Sequence, residues 1–430
     1  MLFTTPKNPD LATNSATAST STSINRKKTD RMLRPWHFIN FLRIESRRRK
    51  SKKRGGKFKL KIGNVVDFFG ELDRAQIDYV VLRWFNEVPL SPEAEKTTTK
   101  DIDILFRHTD LKKLMWIGAR FPGNVVAEFY SVTGKRGTSA RGYPYYPPRL
   151  AEQIISNQER YGNYFYIPSP YAHFQSLCYH LVFHKGFESG LPISSTDPPR
   201  DTGTRDYQTI LSQLAEQLVL KLEQPITLES LYRHLVSTGW TMPYDLKLRW
   251  RFCEKEWLTR LCRLEESTDF TFAEKLPGLI VFLIRDDGSS SPEILNATVG
   301  KIEEQFEITN TIHLDKTQQK RIVHNVRGGN WLEYRDKIMV PPTIALICFD
   351  PSPQLVTEDH PSFKKYPLIT NLNVLVKNQI RSQINEQFPL PKKVRTVLHS
   401  SDNTMEAHHH LYYIVGKEAY PSFCEELLKK

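Results

Sequence analysis

Asp101 and Asp103 stand two residues apart in Lys100-Asp101-Ile102-Asp103-Ile104-Leu105-Phe106, a run whose apolar alternation predicts a β-strand. Residues i and i+2 of a strand project from one face, so the pair presents two carboxylates side by side. Such a pair suits Mg²⁺, which takes oxygen ligands from one or two carboxylates and from substrate phosphates. Solvated aspartates at a strand end give the same pattern without an ion. A second candidate is His399, in Arg395-Thr396-Val397-Leu398-His399-Ser400-Ser401-Asp402-Asn403. A neutral imidazole exposed beside cationic groups can act as a nucleophile and carry a transferred group as a covalent intermediate. Positive charge then stabilises the transition-state oxygens.

Two further groups of histidines carry less chemistry. His173, His180 and His184 fall at i, i+7 and i+11, on one face of a helix, but Leu181 stands where a metalloprotease helix needs its glutamate. They are read as partly buried helix residues near a nucleotide or acceptor pocket. His408-His409-His410 lies inside a predicted helix, where three adjacent side chains spread around the axis and do not converge on one ion.

The elements that must hold these residues follow from periodicity. Val65, Val66, Phe68, Phe69 and Leu72 mark one helix face, and Asp78 to Trp84 reads as a strand. After the Asp-x-Asp strand, Thr109 or Asp110 caps a helix carrying Leu111, Leu114 and Met115, and Val125 to Tyr130 reads as a third strand bearing Glu128. Residues 59–147 thus form an α/β unit. From 148 to 272 the periodicity is helical throughout, interrupted by the loop Asp197 to Gly203. Strands and helices alternate again over 273–430, beginning with the apolar strand Gly278 to Ile284. The fold class is therefore α/β and α+β, in two units joined by a helical region.

The net charge of +12 is concentrated at the start. Residues 1–60 hold sixteen Lys and Arg against Asp10, Asp30 and Glu45, so the remaining 370 residues are close to neutral. Residues 1–58 read as a disordered basic tail, compatible with a solvated linker, RNA binding, an import address, a transit peptide or contact with an anionic membrane. Nucleic acid is expected only through that tail. No apolar run approaches the roughly 20 residues that span a bilayer. The scattered Cys178, Cys253, Cys262, Cys348 and Cys424 suggest neither a zinc site nor a disulfide framework. A soluble, cytoplasmic protein is expected, with an organelle or the nucleus permitted by the tail.

Tyr79-Val80-Val81-Leu82-Arg83, Pro89 and Lys100 to Leu105 together resemble the nucleotidyltransferase superfamily over about residues 60–195. The resemblance implies that Asp101 and Asp103 hold metal ions which orient a nucleotide's phosphates, with Glu128 as a third carboxylate. Where that superfamily has a Gly-Gly or Gly-Ser turn this chain has Leu82-Arg83-Trp84, whose side chains block a close backbone approach, and Arg83 would contact phosphate through its guanidinium instead.

Residues 275–430 resemble nucleoside diphosphate kinase. Arg395, His399, Ser401 and Asp402 match its Arg-Asn-x-x-His-Gly-Ser-Asp signature, and Gly278 to Asp287, Thr343 to Phe349 and Ile380-Arg381-Ser382 match other segments. The resemblance implies a ferredoxin-like antiparallel sheet, His399 as the phosphate-accepting nucleophile, and Arg285, Arg381, Arg395, Ser401 and Trp331 as nucleotide ligands. Arg285 replaces the family's lysine, a fork in place of a point charge. His410 replaces the glutamate that orients the ring, Glu406 lies one turn earlier, and Ser400 replaces a glycine.

The expectation is a Mg²⁺-dependent transferase acting on nucleoside triphosphates and diphosphates, with an unidentified acceptor. Its alternative is a sensor or scaffold whose altered sites bind nucleotide without turnover.

Overall fold

A computed structural model describes residues 35–53, 57–134, 137–199, 205–247, 250–269, 272–326, 341–356, 360–362, 368–388 and 397–430. Phe58, Leu60 and Ile62 alternate with lysines, and this alternation folds as strand β1 (Phe58–Ile62), apolar side inward. The amphipathic helix α2 (Val65–Arg74) follows, burying Val65, Phe68, Phe69 and Leu72. Then come β2 (Tyr79–Val81), the short helix α3 (Pro92–Thr97), β3 (Ile102–Phe106), α4 (Leu111–Arg120) and β4 (Val125–Ser131). The sheet order is β1-β4-β3-β2. β4 is parallel to β3, while β1 and β2 pair antiparallel at the two edges.

The basic segment is not wholly the disordered tail that its charge suggests. Residues 35–53 form helix α1 (Pro35–Lys53). Its charged end offers little reason to fold alone, and tertiary packing supplies one. Phe41 stacks on Trp116 of α4 at 4.3 Å between ring centroids, and Ile44 packs against the core beneath the sheet.

One sheet face (Tyr79, Val81, Ile104, Phe106, Phe129) packs with α2 and α4. The other face, with Val80, Leu82, Leu105 and Tyr130, continues into the helical region. That region contains α5 (Pro148–Ser156), α6 (Pro170–His180), α7 (Tyr207–Gln217), α8 (Leu228–Ser237), α9 (Tyr244–Lys247) and α10 (Lys255–Asp269). The boundary expected between residues 147 and 148 therefore falls inside one continuous core. Nor is the region helical throughout: β5 (Gln158–Tyr161) and β6 (Phe165–Pro168) form a hairpin. Gly162, at φ 55°, makes its turn, a left-handed conformation that glycine adopts without a Cβ penalty.

The remaining residues build β7 (Leu279–Arg285), α11 (Pro292–Glu303), β8 (Glu307–His313), α12 (Lys316–Asn325), β9 (Pro342–Phe349), α13 (Val376–Gln387), β10 (Leu398–Ser400), α14 (Thr404–Val415) and α15 (Tyr420–Leu427). Their sheet runs β10-β7-β9-β8 and every pairing is antiparallel. β7 is buried along its whole length because it is central in the sheet and covered on both faces. The chain is thus mixed α/β and α+β. Among the described residues no helix is long and apolar enough to cross a membrane.

Candidate active site

Asp101 is exposed at the step into β3, and Asp103 follows two residues on. Glu128 on β4 is the register partner of Asp103 across the parallel pair. The three carboxylates line one cavity of about 370 Å³, within the size range of small-molecule sites. Its opposite wall comes from the helical region, with His180, His184, Lys185, Arg205 and Tyr207.

Two of the carboxylates carry internal cations. Glu128, 1% exposed, accepts from Lys57 and Lys59, each at 2.5 Å, and from the Tyr130 hydroxyl. Burial pushes its pKa up, but the hydrogen bonds from Lys57, Lys59 and Tyr130 prevail and hold it at about 2. Asp103 pairs with Arg83, whose Nη2 lies 2.7 Å from Oδ2. The same Nη2 donates to the Tyr145 hydroxyl at 3.0 Å. Burial pulls the Arg83 pKa down, Asp103 more than restores it, and the guanidinium stays charged. Asp101 makes no ion pair among the described residues, and its pKa is raised, first by desolvation and then by the like charges of Asp103 and Glu128.

Beneath Arg83 the network continues into the helical region. Tyr145 Oη lies 2.8 Å from His180 Nδ1, and His184 Nε2 lies 2.8 Å from the Tyr145 carbonyl. Burial keeps both imidazoles neutral by moving their pKa values well below the usual range, with the Arg83 charge adding to it. A guanidinium only donates, so the Tyr145 hydroxyl accepts from Arg83 and donates to His180, while His184 donates to the carbonyl. His173 lies apart from these two, on a neighbouring cavity beside Phe85. A π-helical stretch at Leu181–Lys185 interrupts the helical spacing on which the common face was drawn.

The turn after β2 is made without glycine. Trp84 takes the left-handed conformation, φ 59° and ψ 41°, at a cost of about 1–2 kcal/mol for a side chain of this kind. Its indole is held by the Arg205 guanidinium, 3.7 Å from the ring centroid, and Arg205 is itself fixed by two hydrogen bonds to Glu87. Strain retained at the rim of a charged cleft is common where a site must be held in shape.

The second set of expected residues is arranged differently. His399 sits on β10 opposite Leu283 and is 6% exposed. Its Nε2 lies 3.7 Å from Glu406 Oε1 on α14, and His410 Nε2 lies 3.5 Å from the same oxygen. Arg381 donates through Nε and Nη2 to the Leu398 carbonyl at 3.0 and 2.8 Å, which ties its fork to the strand that carries His399. Ser401 Oγ accepts from the Val281 amide at 3.1 Å, and the Ser401 amide donates to the Val281 carbonyl at 3.0 Å, both contacts that hold β7 in place. Arg285 is 5% exposed at the end of β7, beside a register shift. Asp402 forms a buried ion pair with Lys377. Trp331 and Arg395 lie outside the described residues.

Sequence reasoning missed Lys57, Lys59 and Tyr145. The two lysines had a signal, since Phe58, Leu60 and Ile62 alternate around them, but the neighbouring charge run masked it. Comparison with models of protein families, with curated proteins and with solved structures returns no match.

Proposed function

We infer that the chain is a nucleotidyltransferase-like enzyme whose chemistry takes place in the cleft of Asp101, Asp103 and Glu128. The observation that carries this reading is the convergence of three carboxylates from two parallel strands with an unneutralised neighbouring pair, Asp101 and Lys100, at one cavity. Among the described residues neither Lys100 nor Asp101 is in an ion pair, so they offer a cation ligand and a phosphate ligand side by side.

The donor set fits Mg²⁺, a hard cation that takes oxygen ligands. Asp101 and Asp103 would hold it, and the ion would supply charge neutralisation at the phosphate oxygens. Lys100, Lys185 and Arg205 bind and orient the triphosphate. A hydroxyl of the acceptor forms a bond to the α-phosphorus, the bond from that phosphorus to the β-bridging oxygen breaks, and pyrophosphate leaves. The proton goes to a carboxylate. Glu128, held at about 2 by its lysines, is a poor acceptor, and Asp101 and Asp103 are engaged with the ion, so the carboxylate that takes the proton passes it on to solvent.

Phosphotransfer from triphosphate to diphosphate through His399 remains the companion reading of residues 273–430. The strand order β10-β7-β9-β8 is that of a ferredoxin-like sheet, and Glu406 stands beside the ring as an orienting acid would. The enclosure of that ring is why the first cleft carries the proposal. Binding without turnover is favoured by a different observation: Arg83 on Asp103 and two lysines on Glu128 must yield before an ion can use all three carboxylates.

The experiment mixes the full chain with Mg²⁺ and nucleoside triphosphates labelled at the α-phosphate. Release of pyrophosphate that disappears in Asp101→Ala supports transfer. Saturable binding with no pyrophosphate leaves the sensor, and absence of binding removes both. Triphosphate labelled at the γ-phosphate tests the companion reading, through acid-labile label lost in His399→Ala.

A further inference from the structure

Glu406 and His410 are one helical turn apart on α14, and His399 projects toward them from β10. One donor atom from each of the three lies within 4.8 Å of the others, a clustering found for no other trio of His, Cys, Asp or Glu among the described residues. Their chemistry is two imidazole nitrogens and one carboxylate oxygen, all buried. Imidazole nitrogen with carboxylate suits zinc, where the carboxylate set of the first cleft suits magnesium.

The spacing fits as well. Ligands about 2.0–2.1 Å from a tetrahedral ion stand about 3.3–3.4 Å apart. The Glu406 oxygen is 3.5 Å from His410 Nε2 and 3.7 Å from His399 Nε2, a few tenths of an ångström beyond that spacing, and all three ligand atoms lie within 4.8 Å of one another, so the two rings close on the ion as it binds. The orientation is set from outside the trio. Glu406 Oε2 accepts from the Asp402 amide at 2.8 Å, which leaves Oε1 turned to both rings. The Glu406 amide donates to Asn403 Oδ1 at 2.8 Å, capping the helix at this turn. A carboxylate fixed by neighbouring hydrogen bonds in this way already presents its free oxygen to an ion between the rings.

We propose that His399, Glu406 and His410 bind Zn²⁺, supplying three of its four positions and clipping β10 to α14. With one His399 nitrogen on zinc and the proton of the neutral ring on the other, neither nitrogen has a free lone pair to attack phosphorus, so this assignment opposes the phosphohistidine reading and leaves the first cleft untouched.

The test uses the full chain, purified without an affinity tag or chelator. Elemental analysis is expected to find one zinc per chain, and Co²⁺ in its place to give the visible absorption of a tetrahedral site. His410→Ala and Glu406→Gln are each expected to weaken binding at least about tenfold, whereas Asp101→Ala retains it. Glu406→Gln keeps the side-chain shape and answers the question if His410→Ala does not fold. Chelation is expected to lower the thermal midpoint of the parent chain and not that of Glu406→Gln. No zinc and no cobalt absorption in the parent chain overturns the proposal, as does loss of the ion in Asp101→Ala alone. Acid-labile phosphoryl label on His399 of the metal-loaded chain overturns it too.

Discussion

Arg83 Nη2 lies 2.7 Å from the Asp103 carboxylate, with the two side chains 8% and 12% exposed. Neither is stable in this setting without the other, because an isolated charge at that depth loses its hydration and gains nothing in return. Arg83→Met is expected to cost roughly 3–5 kcal/mol in urea unfolding, the range for breaking a buried pair from one side. Mg²⁺ is expected to restore part of that loss in Arg83→Met, since an ion on Asp103 replaces the missing cation. If added Mg²⁺ leaves the unfolding midpoint of this variant unchanged, Asp103 is not a metal ligand.

Asp101 has the opposite character. Its folded pKa is raised, so at neutral pH its charge opposes folding, and protonation as pH falls through the raised value returns stability. Asp101→Asn removes that charge. In the presence of a chelator the variant is expected to melt at or slightly above the parent temperature. The midpoint gain that Mg²⁺ and triphosphate give the parent is expected to vanish. Thermal melts of both proteins, with and without ion and nucleotide, read the two effects separately.

The residues that were legible in the sequence are those whose role depends on local period. Asp101 and Asp103 needed only strand alternation, Glu128 only the recognition of Val125 to Tyr130 as a strand, and Phe68 and Leu72 only helical spacing. What was not legible depends on partners distant in sequence. Lys57 and Lys59 reach Glu128 across the β1–β4 pair, and Tyr145 joins Arg83 to His180 across three elements. Charge density misled where packing decided, as in α1, whose Phe41 folds against Trp116. At the second group Glu406 stood one turn before the position, taken by His410, that the resemblance gives the ring-orienting glutamate. The turn from β10 into α14 closes that distance and delivers His410 to the same oxygen.

Burial depresses the pKa of several histidines, to about 4 for His173 and His408 and well below the usual range for His180, His184 and His409. The unfolded chain takes up these protons near pH 6.5 while the folded chain does not. Stability is therefore whole above that pH and is lost as pH falls toward the depressed values, by up to about 1.4 kcal/mol per pH unit for each group. The urea midpoint is expected to fall between pH 6.5 and pH 5, and the fall to be shallower in His173→Phe. An unchanged midpoint over that range would show that these rings are hydrated and titrate normally.

Glu128 sets a second, more acidic limb. Its folded pKa of about 2 lies below the unfolded value of about 4.3, so its contribution is present above the unfolded value and is lost as pH falls through the window between them. Glu128→Gln keeps the shape and removes the titration, leaving Lys57 and Lys59, both partly solvated, to turn to water. The variant is expected to be less stable than the parent at neutral pH and to converge on it as pH approaches 2, because protonated glutamate and glutamine are then nearly equivalent partners. Parallel acid titrations by circular dichroism decide this. A constant gap between the two curves down to the acid limit would mean that the lysines act by packing their stems against Tyr130 and β1, and not by holding a carboxylate charged at the floor of the cleft.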